Sequence, residues 1–108
     1  MIRSEIWIAE VGRKRRPVLV LTRSEVIDVR TLVTVAEVTS AIRGLAAEVG
    51  FDHTAIGLTE PSVINCDGIH TVAQSTLTAR VGEVGDEPMR RVGCAVSERT
   101  GGQDRWGA

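Results

Sequence analysis

The sequence predicts a small, mainly β fold finished by one C-terminal helix. Two observations carry that expectation. Short runs of β-branched and apolar residues alternate with turn residues through the first two-thirds of the chain. From Asp86 onward the pattern changes to one that suits a helix. A length of 108 residues allows one domain with one modest core.

The elements follow in order. Ile6-Trp7-Ile8-Ala9 is rich in β-formers and ends near Gly12. Residues 17–22 form an almost continuous apolar run starting at Pro17. Proline is tolerated at the first position of a strand, so the strand is expected to begin there, with both faces buried. Residues 31–39 are strongly β-branched and predict a third strand; residues 47–51 predict a weaker fourth. Residues 62–66 and 69–72 predict two more, broken at Asp67-Gly68, and residues 80–84 a short seventh. Asp86 suits a helix N-cap, with Glu87 and Pro88 in the first turn. Met89, Val92, Cys94 and Val96 suggest the helix's apolar side, and Arg90, Arg91, Glu98 and Arg99 its wet side. Gly93 weakens the helix, and Gly101-Gly102 is expected to end it. The division expected is a domain over residues 1–98 and a polar tail over 99–108. Seven strands and a helix point to a small twisted β-barrel, or a strongly bent sheet with a helix packed on it.

An apolar fraction of 43% belongs to a folded chain rather than a disordered one. The net charge is −1, but it is unevenly spread. Residues 1–50 hold eight basic and six acidic side chains; residues 51–108 hold five and eight. Any contact with nucleic acid must therefore come from a local patch, and Arg13-Lys14-Arg15-Arg16 is the obvious one. Cys66 and Cys94 lack a CxxC spacing and are expected as two buried thiols in a reducing cytosol, with a single long-range disulfide as the alternative. With His53 and His70 isolated from each other, no metal site and no cofactor is expected. Charge follows the first Met at once, and apolar stretches reach only around five residues. Neither a signal peptide nor a membrane span is expected, and the location expected is cytoplasmic.

Three stretches in order carry a resemblance. They are Glu5-Ile6-Trp7 followed by the basic run and Arg16-Pro17-Val18-Leu19-Val20-Leu21; Val35-Ala36-Glu37-Val38-Thr39-Ser40; and residues 61–72, PSVINCDGIHTV. Together they resemble the MazF/PemK/Kid toxins of type II toxin–antitoxin systems, across about residues 1–98. The resemblance implies a PemK/CcdB-like (SH3-like) β-barrel with a C-terminal helix, acting as a homodimer. It implies metal-independent, sequence-specific cleavage of single-stranded RNA by 2′-OH attack, leaving 2′,3′-cyclic phosphate and 5′-OH ends. It also implies restraint by a MazE-like antitoxin. Dimerisation rests on the resemblance; within the sequence only the apolar side of the last helix speaks for it.

Cutting RNA without a metal requires a proton acceptor for the 2′-OH, a donor for the leaving 5′-oxygen and a cation for the phosphorane. The resemblance places Arg16 on the family's catalytic Arg and Thr39 on its catalytic Thr. Proline restricts the residue before it, which limits where Arg16 points, and a guanidinium grips phosphate oxygens in a fork. Asp67 falls on a catalytic Asp of the Kid branch, where a carboxylate can act as base; otherwise Asp67-Gly68 is a turn. Asn65 stands where that branch has an Arg. Arg13, Lys14 and Arg15 are either a phosphate track or a solvated loop. Their short loop departs from the longer one of many relatives. Glu37 shares a strand face with Thr39, so it pairs with Arg16, accepts a proton, or faces solvent. Ser40, Asn65 and His70 complete the expected RNA contacts, His70 being alternatively structural. Trp7 either stacks a base or belongs to a core or dimer face; with three aromatics in the chain, stacking cannot dominate recognition.

Two other readings stand beside this one. The gyrase poison CcdB resembles these toxins in fold and acts through a C-terminal Trp-Gly-aliphatic tripeptide, and this chain ends Trp106-Gly107-Ala108. A non-catalytic relative is the other.

Overall fold

The structure, a computed structural model, describes residues 2–23 and 31–100. Six strands and one helix follow in order: β1 (Glu5–Val11), β2 (Lys14–Val20), β3 (Leu32–Thr39), β4 (Glu48–Gly50), β5 (Val63–Ala73), β6 (Leu77–Glu83) and α1 (Asp86–Thr100). The strands form one antiparallel sheet in the order β4-β5-β3-β2-β1-β6.

Two expectations about strands change, and a third point decides between the two expected forms of the sheet. β2 begins at Lys14, not Pro17. Gly12, at φ +63°, allows a tight turn with Arg13, and the hairpin then pairs Val11 with Lys14, Glu10 with Arg15 and Ala9 with Arg16. The basic run is thus mostly strand rather than loop. Pro17 is tolerated because the pairing of β2 with β3 stops at Val18, so from Pro17 back β2 is an edge. Second, the two strands expected on either side of Asp67-Gly68 are one strand, β5. Its pairing with β3 jumps from Glu37↔Asn65 to Ala36↔Ile69, so Cys66, Asp67 and Gly68 form a bulge rather than a turn. There are therefore six strands among the described residues, not seven. Third, the hydrogen-bonded ladder stays open, with β4 and β6 as its edges. The bent sheet is brought round by the short helical turn Thr54–Ile56, where Ile56 packs so closely on Gly82 that a Cβ there would lie 2.6 Å from the Ile56 Cβ.

Alternation along the strands gives each face its own core. One face buries Ile6, Leu19, Ala36, Val38, Ile64 and Cys66. Helix α1 lies on it through Met89, Val92, Ala95 and Val96. The other face buries Ala9, Val18, Val20, Val33, Val35 and Leu77, with Trp7 and Val72 packed against them. Cys94 therefore belongs not to the apolar side of α1 but to its exposed side, with Ala95 taking the position inward. The expectation of two buried thiols holds only for Cys66; Cys94 is exposed. The apolar side of α1 covers the chain's own core and so says nothing for a dimer. The expected tail, with Gly101-Gly102 and Trp106 to Ala108, lies outside the described residues, apart from the end of α1.

Glu5 ties the first strand to the last. It is buried, at 7% exposure. Its carboxylate accepts hydrogen bonds from the Trp7 indole N–H at 3.0 Å, the Ile2 backbone N–H at 2.8 Å and the Arg80 Nε–H at 2.6 Å. Burial opposes the charge, but these bonds, Arg80's foremost, outweigh it and hold the carboxyl below its ordinary range. Trp7 is fixed by that bond and by the core beside it, which places it in the fold rather than on a base.

Candidate active site

The face of β3 that carries Val33 and Val35 continues through Glu37 to Thr39. Here β2 leaves β3 and β5 bulges, and the separation opens a groove. One part is a cavity of about 660 Å³ whose lining includes Arg16, Glu37, Thr39, Ser40, Asn65 and Asp67. The three residues expected to carry the chemistry, Arg16, Thr39 and Asp67, share this cavity. A second, smaller hollow of about 370 Å³ adjoins it, with an apolar floor of Ala9, Val18, Val35 and Val72 rimmed by Lys14, Arg16 and His70. Arg16 and Glu37 line both hollows.

Strand alternation sorts the basic run. Lys14 and Arg16 point into the groove. Arg15 lies on the other face, where its Nε is 3.8 Å from a Glu10 carboxylate oxygen. Arg13 is exposed in the turn and lines neither hollow. The expected four-residue phosphate track is thus two residues deep, because successive strand side chains face opposite ways.

Glu37 is the junction. One carboxylate oxygen lies 3.8 Å from Arg16 Nη1 and the other 2.5 Å from His70 Nε2. The pairing with Arg16 is one of the three alternatives that the sequence leaves open for Glu37; the His70 contact is not among them. The bulge brings it about. With no inserted residues, Asp67 and His70 would face opposite sides of the sheet; the insertion turns both toward the groove. Gly68 makes room, since a Cβ there would sit 3.0 Å from the Glu37 carboxyl carbon. The Asn65 side-chain oxygen accepts the Asp67 backbone N–H at 3.0 Å and braces the bulge. Asn65 thus lines the groove while supporting the backbone.

Thr39 closes β3. Its hydroxyl oxygen accepts the Ala41 N–H at 3.0 Å, which fixes the oxygen and leaves the hydroxyl hydrogen to donate toward the cavity. Ser40 is exposed beside it. The following loop is organised by Glu48, whose carboxylate accepts the backbone N–H groups of Arg43, Gly44 and Leu45. That arrangement sets Arg43 on the cavity wall, opposite Thr59, Glu60 and Ser62. Sequence reasoning missed these four as site residues: Arg43, Thr59 and Glu60 lie in loops without a motif, Ser62 sits in the stretch 61–72 with no role marked for it, and only the approach of two loops makes them neighbours. Among the described residues, no three His, Cys, Asp or Glu side chains come together as a metal-binding group, and no helix is long and apolar enough to cross a membrane.

A guanidinium, a strand-end hydroxyl and a carboxylate-linked imidazole around an open groove are groups chemically suited to a phosphodiester, carried on a small bent sheet. Comparison with known proteins narrows that class. Residues 2–98 match the family described as PemK-like, MazF-like toxin of type II toxin-antitoxin system, and the chain belongs to that family. It is 46% identical over 77 residues to the endoribonuclease MazF3 of Mycobacterium tuberculosis, covering 71% of this chain and 73% of that protein. It is 36% identical over 97 residues to the probable endoribonuclease MazF5 of the same organism, covering 87% of each. Among solved structures, the M. tuberculosis toxin MazF-mt6 superposes with a TM-score of 0.80 at 37% identity, over 87% of this chain and 93% of that one. The MazE-MazF complex of Deinococcus radiodurans shares the fold, with a TM-score of 0.82 at 20% identity over 94% and 95% of the chains.

Proposed function

We propose that this endoribonuclease of the MazF-like family cuts single-stranded RNA without a divalent ion, using the ribose 2′-OH as nucleophile. The products are a 2′,3′-cyclic phosphate and a 5′-OH end. The observation that carries the reading is that Arg16 and Thr39 line one cavity with Asp67, although 23 positions separate the first two in sequence. Arg16 stabilises charge on the phosphorane: its guanidinium stays charged and offers paired donors. Thr39 donates its hydroxyl hydrogen to a phosphate oxygen. Lys14 and Arg43 extend the cationic wall for neighbouring phosphates. Ser40 and Asn65 add hydrogen-bonding groups that read bases. Two groups of the groove can take the 2′-OH proton, the Asp67 carboxylate and the His70 imidazole.

The working form is a homodimer in the cytoplasm, held in check by a MazE-like antitoxin. The antitoxin is supported by the family's description and by a structure of an endoribonuclease with its cognate antitoxin from a Mycobacterial species; the dimer and the location rest on the sequence reading alone. The decisive experiment is incubation of the purified chain with a long single-stranded RNA in EDTA. Discrete cuts with 5′-OH ends are expected, and a substrate with a 2′-deoxyribose at the cut site should resist. Activity that disappears with chelator overturns the reading.

A further inference from the structure

The groove holds one imidazole, and its environment suits it to proton transfer. We propose that His70 is the group that takes the 2′-OH proton, and that Glu37 is its positioning residue. The inference rests on the ribonuclease reading above and adds a residue pair to it.

The argument starts from the hydrogen bond. His70 Nε2 lies 2.5 Å from a Glu37 carboxylate oxygen. An ionised carboxylate only accepts, so Nε2 carries the hydrogen, and in the neutral ring the bare lone pair is on Nδ1. A carboxylate thus selects the tautomer and favours the imidazolium that forms when Nδ1 takes a proton. The carboxylate is itself held. Its other oxygen faces Arg16 at 3.8 Å, and it lies over Gly68, where any side chain would displace it. The side chain of Glu37 is 29% exposed and that of His70 52%, so the clamp is partly shielded while the ring stays open to the groove.

Position favours His70 as well. Arg16 and His70 hold opposite oxygens of one carboxylate. A phosphate drawn to the Arg16 guanidinium comes to the hollow that His70 also rims. The charged groups facing the ring are Glu37 from β3 and Arg16 and Lys14 from β2. The side chains that β1 contributes to this hollow, Ala9 and Val11, carry no charge, and on β5 itself Asp67 lies across the bulge in the larger cavity.

The step balances. Nδ1 takes the 2′-OH proton as the 2′-oxygen bonds to phosphorus. The P–O5′ bond breaks, and the leaving 5′-oxygen takes a proton from water. The imidazolium then returns its proton to solvent.

The test uses the intact chain and a short RNA carrying one cut site. His70→Ala is expected to lower kcat about 10²–10⁴-fold with little change in KM. Added imidazole should restore part of the rate. The acid limb of the pH–rate profile should match the His70 titration followed by ¹⁵N NMR, which should also show hydrogen on Nε2. Glu37→Gln should move that limb and that titration to lower pH together. In Asp67→Asn, whatever its rate, the limb should stay in place. His70→Gln, isosteric in length, guards against misfolding when its melting temperature is checked. If the wild-type chain cuts RNA but His70→Ala cuts equally well, or if the limb ignores Glu37→Gln, this inference falls and the ribonuclease reading stands. If the wild-type chain cuts no RNA, both fall.

Discussion

Arg16 and Glu5 show how a charged side chain's worth depends on its neighbours. Arg16 is half-exposed, and its carboxylate partner stands at 3.8 Å, so the pair contributes little to stability. Its use is in the groove. Arg16→Ala should leave the melting temperature nearly unchanged while lowering kcat by about 10²–10³-fold, the scale for removing one donor to a developing oxyanion. Retention of wild-type turnover would remove it from the site. Glu5 is the reverse case, a buried carboxylate that stabilises and takes no part in chemistry. Its folded carboxyl is held below the unfolded value. Its contribution is therefore present above the unfolded carboxylate range, near pH 4.5, and lost as pH falls through the lower folded value. Glu5→Gln should cost about 1–3 kcal/mol at pH 7. Denaturant titrations should show that gap closing as the solution is acidified below that range.

Bulge and turn are the elements on which site and fold depend, and a glycine marks each. At Gly68 an added Cβ meets the flexible end of Glu37, which can move aside. Gly68→Ala should keep the fold yet disturb the Glu37–His70 contact, visible as a shift in the pH–rate profile with the melting temperature nearly intact. At Gly82 the added Cβ would lie 2.6 Å from the Ile56 Cβ, which is tied to backbone and cannot yield. Gly82→Ala should cost about 1–3 kcal/mol, as overpacking does, and the loss should appear directly in chemical denaturation. Equal stability of the two variants would mean that the turn Thr54–Ile56 does not brace the sheet as described. The elements themselves were legible because most strands carry the signs that strands need: β-branched runs at β3, an apolar run at Val18 to Val20, and turn residues between. In the sequence Lys14 to Arg16 looks like loop because three successive charges suit solvent. Pairing with Val11, Glu10 and Ala9 made them strand instead. Asp67-Gly68 was read as a break because that dipeptide favours turns; β3, running alongside on both sides of it, held β5 together as one strand.

On the scale of the whole molecule, a balanced net charge of −1 leaves the surface at large with little pull on a polyanion, so RNA is expected to be held by the groove. With few cations in that groove, binding should show a shallow salt dependence, readable as a small slope of log Kd against log salt. Light scattering of the purified chain should give the mass of a dimer; a monomer that still cleaves would show the groove of one chain to be sufficient. Removing Trp106 to Ala108 should leave both RNA cleavage and toxicity to cells intact; toxicity lost with the deletion, from a chain that cuts no RNA, would favour the gyrase-poison reading.

By itself the sequence determined the local choices: which segments extend, where the helix begins, and which residue types are available for metal-free phosphodiester chemistry. These depend on side-chain shape and spacing along the chain, which a string of residues records. The tertiary structure decided which of those residues meet. Arg16, Glu37 and His70 sit on three strands, and their contact requires the pairing register of β3 with both neighbours and a bulge that resets the facing of β5. Register is a relation between distant segments, fixed by packing both faces of the sheet at once, so no single stretch of the chain contains it.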